Sequence, residues 1–266
     1  MTAPTSELGV RIRRAASDFM VAWVEALRDL PGNPSGITVE RIGGAVALAC
    51  EALPELDFVN TVHGLDPADG DQVAGVTSFY RGLGRRGWTE VAPIPGADVL
   101  IERLTAAGWA QTGFWCSFHG PPAAPPAPAG VEVVEASAAD MPEFARIHLD
   151  GHEVPTDDRG PAEAAVRGWL GQPGWRLYLA RVNGVAAATA ALTLGGGLGY
   201  LANAATLPSM RGRGCQTALL ARRIADAAGA GCDTVASLAE FGSGSQRNLE
   251  RAGLRVAYTQ AVWRMS

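Results

Sequence analysis

The segment Leu207-Pro208-Ser209-Met210-Arg211-Gly212-Arg213-Gly214-Cys215-Gln216-Thr217-Ala218-Leu219-Leu220 constrains this chain more than any other. It joins a turn, two closely spaced glycines and the opening of an amphipathic helix. Pro208 closes a preceding strand, because proline cannot donate to a ladder. Gly212 and Gly214 let backbone approach a ligand closely. The helix start leaves N–H groups without partners at the positive end of the helix dipole, which suits a phosphate or pyrophosphate. Arg211 and Arg213 add two guanidinium groups at the same mouth, able to fork onto phosphate oxygens.

Composition narrows the phosphate ligand. All 22 basic residues are arginine and none is lysine. A phosphate loop ending in Gly-Lys-Ser/Thr is therefore excluded, as is a lysine Schiff base. A dinucleotide fingerprint needs a third glycine and an acidic residue about 20 positions on, ending a second strand, and neither is evident. Net charge is -5, so no global basic field draws in nucleic acid. Residues 1–14 lack a signal-like apolar run, and no stretch of about 18 apolar residues runs unbroken, which argues for a cytoplasmic chain and against a membrane partner. Cys50, Cys116, Cys215 and Cys232 form no Cys-x-x-Cys pair and read as thiols in a reducing compartment.

The run His119-Gly120-Pro121-Pro122-Ala123-Ala124-Pro125-Pro126-Ala127-Pro128-Ala129-Gly130 is a semi-rigid, polyproline-like tether. It divides the chain into 1–120, a linker 121–130 and 131–266. Downstream, strands are expected at Val131–Val134, Trp175–Arg181, Val185–Leu194 and Gly199–Thr206, with Asn183-Gly184 as a tight hairpin turn. Helices are expected over Ala138–His148 and Pro161–Leu170. After the arginine-glycine turn, a helix runs to about Ala228. A strand Thr234–Ala239, a helix Gln246–Arg251 and a strand Arg255–Arg264 complete the order.

That order, from Val131 to Ser266, resembles the GCN5-related N-acetyltransferase (GNAT) superfamily, and Arg211-Gly212-Arg213-Gly214-Cys215 matches its Arg/Gln-x-x-Gly-x-Gly/Ala signature until Gln216 takes the last small-residue slot. The resemblance implies an α/β fold with a mixed central sheet flanked by helices, and acetyl-CoA or another acyl-CoA as co-substrate, with no metal. Coenzyme pyrophosphate would sit on Arg211, Gly212, Arg213, Gly214, Cys215, Gln216 and Thr217, and the pantetheine arm beside Ala204, Ala205 and Thr206. Asn248 is a further coenzyme contact by the same analogy. Many members carry a tyrosine four residues before the glycine matched by Gly253; here that slot is Leu249.

The first half repeats the second: helix Asp71–Gly84, strand Trp88–Pro93, helix Val99–Ala106, then Gly108-Trp109 and a strand through Phe118. Glu102 to Trp109 echoes Asn248 to Leu254. Gly64 to Asp71 is acidic where phosphates would sit, so the first half reads as a degenerate, GNAT-like repeat without a coenzyme site, making this a tandem fold. It would shape the acceptor pocket or support its partner.

An amine acceptor needs a base near the thioester. Glu240, Tyr200, Asn203 and His152 are the candidates, with His148 and Glu153 in the same acceptor region. His148 and His152 have a metal-compatible spacing, but no third ligand is evident. The sequence therefore reads as an acyl-CoA-dependent N-acyltransferase, acetylating a small-molecule amine by direct attack. One alternative takes an aminoacyl group from transfer RNA, which the acidic, lysine-free composition disfavours. Another is a non-catalytic coenzyme-sensing module. Acceptor identity, acyl-chain length and oligomeric state are not legible.

Overall fold

The computed structural model describes residues 6–154 and 159–266. Contacts divide the chain into two compact units, 1–116 with 257–266, and 117–256. The expected division placed the whole second half together, yet the last ten residues belong to the first unit.

The first unit opens with α1, Ser6–Arg28. Ile12, Phe19, Val24 and Leu27 are buried on one stripe while Arg14 and Asp18 face water. Each such burial contributes about 1.5–3 kcal/mol, so this stripe holds the helix more firmly than propensity does. β1, Ile37–Ile42, and β2, Ala45–Cys50, form a hairpin around Gly43, whose φ of 57° a β-branched residue could not adopt cheaply. Then come β3, Thr61–His63; α2, Gln72–Gly82; β4, Trp88–Val91; α3, Ala97–Ala106; and β5, Trp109–Gly120.

The second unit holds β6, Val131–Glu135; α4, Met141–Gly151, entered through a 3-10 turn capped by Ser137 and Asp140; and α5, Arg159–Arg167. β7, Trp175–Val182, and β8, Val185–Gly195, meet at Asn183 and Gly184 with φ of 51° and 80°. Paired positive φ values are what a two-residue primed turn requires. β9, Leu198–Thr206; α6, Cys215–Gly229; β10, Thr234–Glu240; α7, Gly244–Arg251; and β11, Arg255–Met265, complete the chain.

Within the first unit the strand order is β1-β2-β3-β4-β11-β5, and within the second β10-β9-β8-β7-β6. Each unit runs an antiparallel three-strand meander, a turn, a helix, a strand parallel to the third, and a second helix. Both second helices, α3 and α7, stop at a glycine with φ of 87°, Gly108 and Gly253. The fold is therefore a tandem one, with a mixed sheet and flanking helices in each half. One face of the first unit's sheet packs Ala47, Val62, Val91 and Trp263 against Val73, Val76, Leu100 and Leu104 of α2 and α3. Tyr80 Oη donates to the Leu48 carbonyl and Trp109 Nε1 to Thr77 Oγ1, so these large rings are buried with their polar atoms satisfied.

Candidate functional site

The second unit's parallel strands pair only from Leu198↔Thr234 to Leu201↔Ser237, although β9 continues to Thr206 and β10 to Glu240. Beyond Ser237, which donates its hydroxyl to the Leu201 carbonyl, the strands part. Their facing N–H and C=O groups become open to an added strand-like ligand.

The cleft begins at a β-bulge. Thr189 pairs with Ala205 and Ala191 with Ala202, so Asn203 and Ala204 together oppose Ala190. Asn203 has φ 44°, and its Nδ2 is buried without a partner. Behind the bulge lies Arg223 of α6, only 2% exposed. Its guanidinium donates to the carbonyls of Ala191, Ala202 and Leu219, and burial pushes its pKa down to about 10, leaving it charged at neutral pH. Arg223 thus fixes the carbonyls that flank the bulge and brings positive charge to it. Sequence reading missed this residue; the available signal was an arginine in the apolar stripe Leu219–Arg223–Ala227.

β9 leads through a 3-10 turn, Pro208–Met210, to Gly212 and Gly214, with φ of 76° and 82°. Among the described residues Gly212, Arg213 and Gly214 donate no backbone hydrogen bond, and the first-turn amides of α6 point out of the helix end. A Cβ on Gly214 would lie 3.1 Å from Cγ of Pro128, so the linker packs against the turn. Gln216 turns its side chain aside to donate to Thr206 Oγ1 at 2.9 Å. Arg213 and Thr217 are exposed. Arg211 Nη2 reaches Glu153 Oε1 at 2.9 Å and the Gly151 carbonyl at 3.3 Å. Burial raises the Cys215 thiol, so it is not a ready nucleophile. Asn248 accepts from Arg251 at 2.8 Å, and Leu249 is buried.

The other face of β9 carries the acceptor-side candidates. Strand alternation puts Tyr200 of β9 and Glu240 of β10 on the face that α4 covers. Tyr200 is buried and Glu240 exposed at the strand end. A Cβ on Gly151 would come within 2.9 Å of Ala205 Cβ and Thr206 N, so the absence of a side chain there lets the end of α4 lie against the bulge. That contact carries His152, whose ring centroid is 4.6 Å from that of buried His148. His148 Nδ1 in turn lies 3.2 Å from Thr189 Oγ1, opposite Ala205. Burial and the neighbouring His152 hold His148 well below the ordinary imidazole range, and the surrounding protein lowers His152 too, although its edge is exposed. Both rings are therefore neutral near pH 7. Among the described residues no group of three His, Cys, Asp or Glu side chains is placed to hold a metal, and no helix is long and apolar enough to cross a membrane.

The first unit's equivalent turn is closed. Gln72 Oε1 accepts from the Asp66 N–H, Asp66 Oδ1 from Ala68, and Asp69 Oδ1 from Asp71. Arg103 binds the carbonyls of Pro67 and Asp69.

Residues 141–253 match the family described as the acetyltransferase (GNAT) family. No curated protein matches the sequence. A GCN5-related N-acetyltransferase from Kribbella flavida superposes with a TM-score of 0.61 at 22% identity, over 92% of this chain and 95% of that one. A GCN5-related N-acetyltransferase from Sphaerobacter thermophilus gives 0.59 at 16% identity, over 90% and 84%. A tandem GNAT protein from the clavulanic acid biosynthesis pathway gives 0.62 at 14% identity, over 93% and 94%. Residues 141–253 thus form a domain of the acetyltransferase (GNAT) family, and the chain as a whole shares the fold of these solved structures.

Proposed function

We propose that the second unit binds an acyl-coenzyme A, acetyl-CoA foremost, and transfers its acyl group to the amine of a small molecule. One observation carries this reading: the cleft between β9 and β10 opens at a bulge and leads to a turn in which Gly212, Arg213 and Gly214 donate no backbone hydrogen bond among the described residues. A phosphate-bearing thioester fits such residues, since Asn203 Nδ2 is an orphaned buried donor at the cleft and Gly212–Gly214 are open donors at its mouth. The coenzyme supplies an acyl group activated as a thioester.

The chain's own residues do the rest. Arg211, Arg213 and the amides from Gly212 to Thr217 hold the pyrophosphate, while the edges of Ala204, Ala205 and Thr206 order the arm. A backbone N–H at the bulge polarises the acyl carbonyl, and the nearby charge of Arg223 favours negative charge there. His152, neutral and at the acceptor face, takes the proton from the incoming ammonium, with His148 and Thr189 orienting it. Glu240 and Tyr200 bind the acceptor. Leu249 offers no acid, so the coenzyme sulfur leaves as thiolate or is protonated by solvent; with a thiol pKa near 8.5 that costs only about 2 kcal/mol at pH 7. The buried free cysteines suit a cytoplasmic setting.

Calorimetric titration with acetyl-CoA tests the donor, and an amine panel tests turnover. His152→Gln is expected to lower kcat roughly a hundredfold with coenzyme affinity unchanged. A wild-type chain that binds no acyl-CoA ester would overturn the reading.

A further inference from the structure

The first unit contains a group of buried polar side chains that the acyl-transfer reading does not use. Across its sheet Arg41 pairs with Val46, Val46 with His63, and Glu90 with Val262, while Val62 pairs with Thr89, which sets His63 beside Glu90. These residues form one row pointing to one face. Arg41 Nη2 bonds Glu25 of α1 at 3.1 Å, so that face is the one α1 covers. The helix begins beside β11, where Gly9 lies against Tyr258, and reaches β1 at Glu25. Sixteen residues of helix span about 24 Å. Four strand spacings span about 19 Å. The middle of α1, near Ala16, therefore lies on the same side of the sheet as His63 and Glu90, between those two ends.

Ala16 sits at the centre of the stripe formed by Ile12 and Phe19, yet it keeps partial solvent access while they are 1% and 4% exposed. His63 and Glu90 are likewise partly accessible as residues. Three polar atoms on this face, Glu90 Oε1, His63 Nε2 and Thr61 Oγ1, are buried without a partner. Gln260 Nε2 donates to the other oxygen of Glu90. Burial alone raises the Glu90 carboxyl to about 8, with no neighbouring cation to lower it, and burial lowers His63 to about 4.

We propose that Thr61, His63 and Glu90 together bind a small primary ammonium ligand. A carboxylate, a neutral imidazole nitrogen and a hydroxyl offer three acceptors, and an ammonium is three donors with no acceptor. Its charge matches the one that Glu90 lacks a partner for. A structural zinc or calcium ion fits less well, because the row supplies one carboxylate and one imidazole where those ions take four or more ligands. The carboxyl gives its proton to solvent as the ammonium enters, leaving a neutral ion pair.

The test is a heteronuclear NMR titration of the full chain with n-propylammonium chloride, without acyl donor. Tetramethylammonium chloride and propan-1-ol serve as probes lacking N–H donors or charge. The expected result is saturable shifts at Val62, His63, Glu90 and Val91, with affinity for both control probes roughly tenfold weaker or less. Glu90→Gln, near in size, is expected to weaken n-propylammonium at least roughly tenfold, and Thr61→Val about threefold. No shifts at β3 and β4, or equal affinity in Glu90→Gln, would overturn the proposal and leave only bound water there. Acetyl-CoA affinity of Glu90→Gln stays at the wild-type value, so failure here and failure of the coenzyme reading are separately visible.

Discussion

The pair β3/β4 and the pair β9/β10 occupy the same place in two copies of one topology, and each is joined by a short parallel ladder. The turns that leave them differ. After β3, the carboxylates of Asp66 and Asp69 and the amide of Gln72 turn back onto the loop's own N–H groups. After β9, glycines and arginines leave those donors facing out. The two halves therefore share a scaffold and differ in the turn that leaves it. In the first unit the carboxylates and the loop's own hydrogen bonds both disfavour a phosphate.

The comparison breaks most sharply at its glycines. Gly214→Glu forces a side chain into φ 82° against Pro128 and puts negative charge on the helix end; acetyl-CoA affinity should fall at least roughly a hundredfold by calorimetry. Gly64→Glu, also at φ 78°, should lower thermal stability and leave coenzyme affinity unchanged. If both lower affinity alike, the division of labour between the halves is wrong. Next in size is the pH response of the first unit. Folded Glu90 keeps its proton up to about 8. The unfolded chain releases it near 4.3. The folded state thus binds the extra proton across that window, and stability falls as pH rises through it. Melting scans from acid to pH 8 should show that decline, and Glu90→Gln should remove about 5 °C of it. Arg211→Ala should weaken acetyl-CoA about tenfold. Smallest is Glu153→Gln, which frees Arg211 from its ion pair and should tighten coenzyme binding about twofold.

Much of this fold was legible because its punctuation is local. Asn183-Gly184, Gly212, Gly214 and the glycines that end α3 and α7 each impose one backbone conformation, and the expected elements around them differ from the structure only by a few terminal residues. The arginine-glycine turn was readable for the same reason. α1 and the hairpin β1/β2 went unread, although Ile12, Phe19 and Leu27 carry a helical period; the acidic and arginine-rich residues between them diluted the pattern. Contacts between distant segments were not legible at all. Nothing in the sequence near Arg223 announces the carbonyls of Ala191 and Ala202, and nothing near Glu90 announces Gln260. The expected linker 121–130 falls inside the second unit, which begins at Ser117, and the return of the final strand to the first unit was not readable, since a strand's partner is chosen by register across the whole sheet.

That return has a consequence for the order of assembly. Within the first unit β11 lies between β4 and β5, and it carries Trp263 and Met265 of that unit's core. Its residues are synthesised only after all of the second unit. A nascent chain thus holds β4 and β5 apart, with apolar edges unpaired, until translation has passed Met265, so the half that comes first off the ribosome is the half that finishes last.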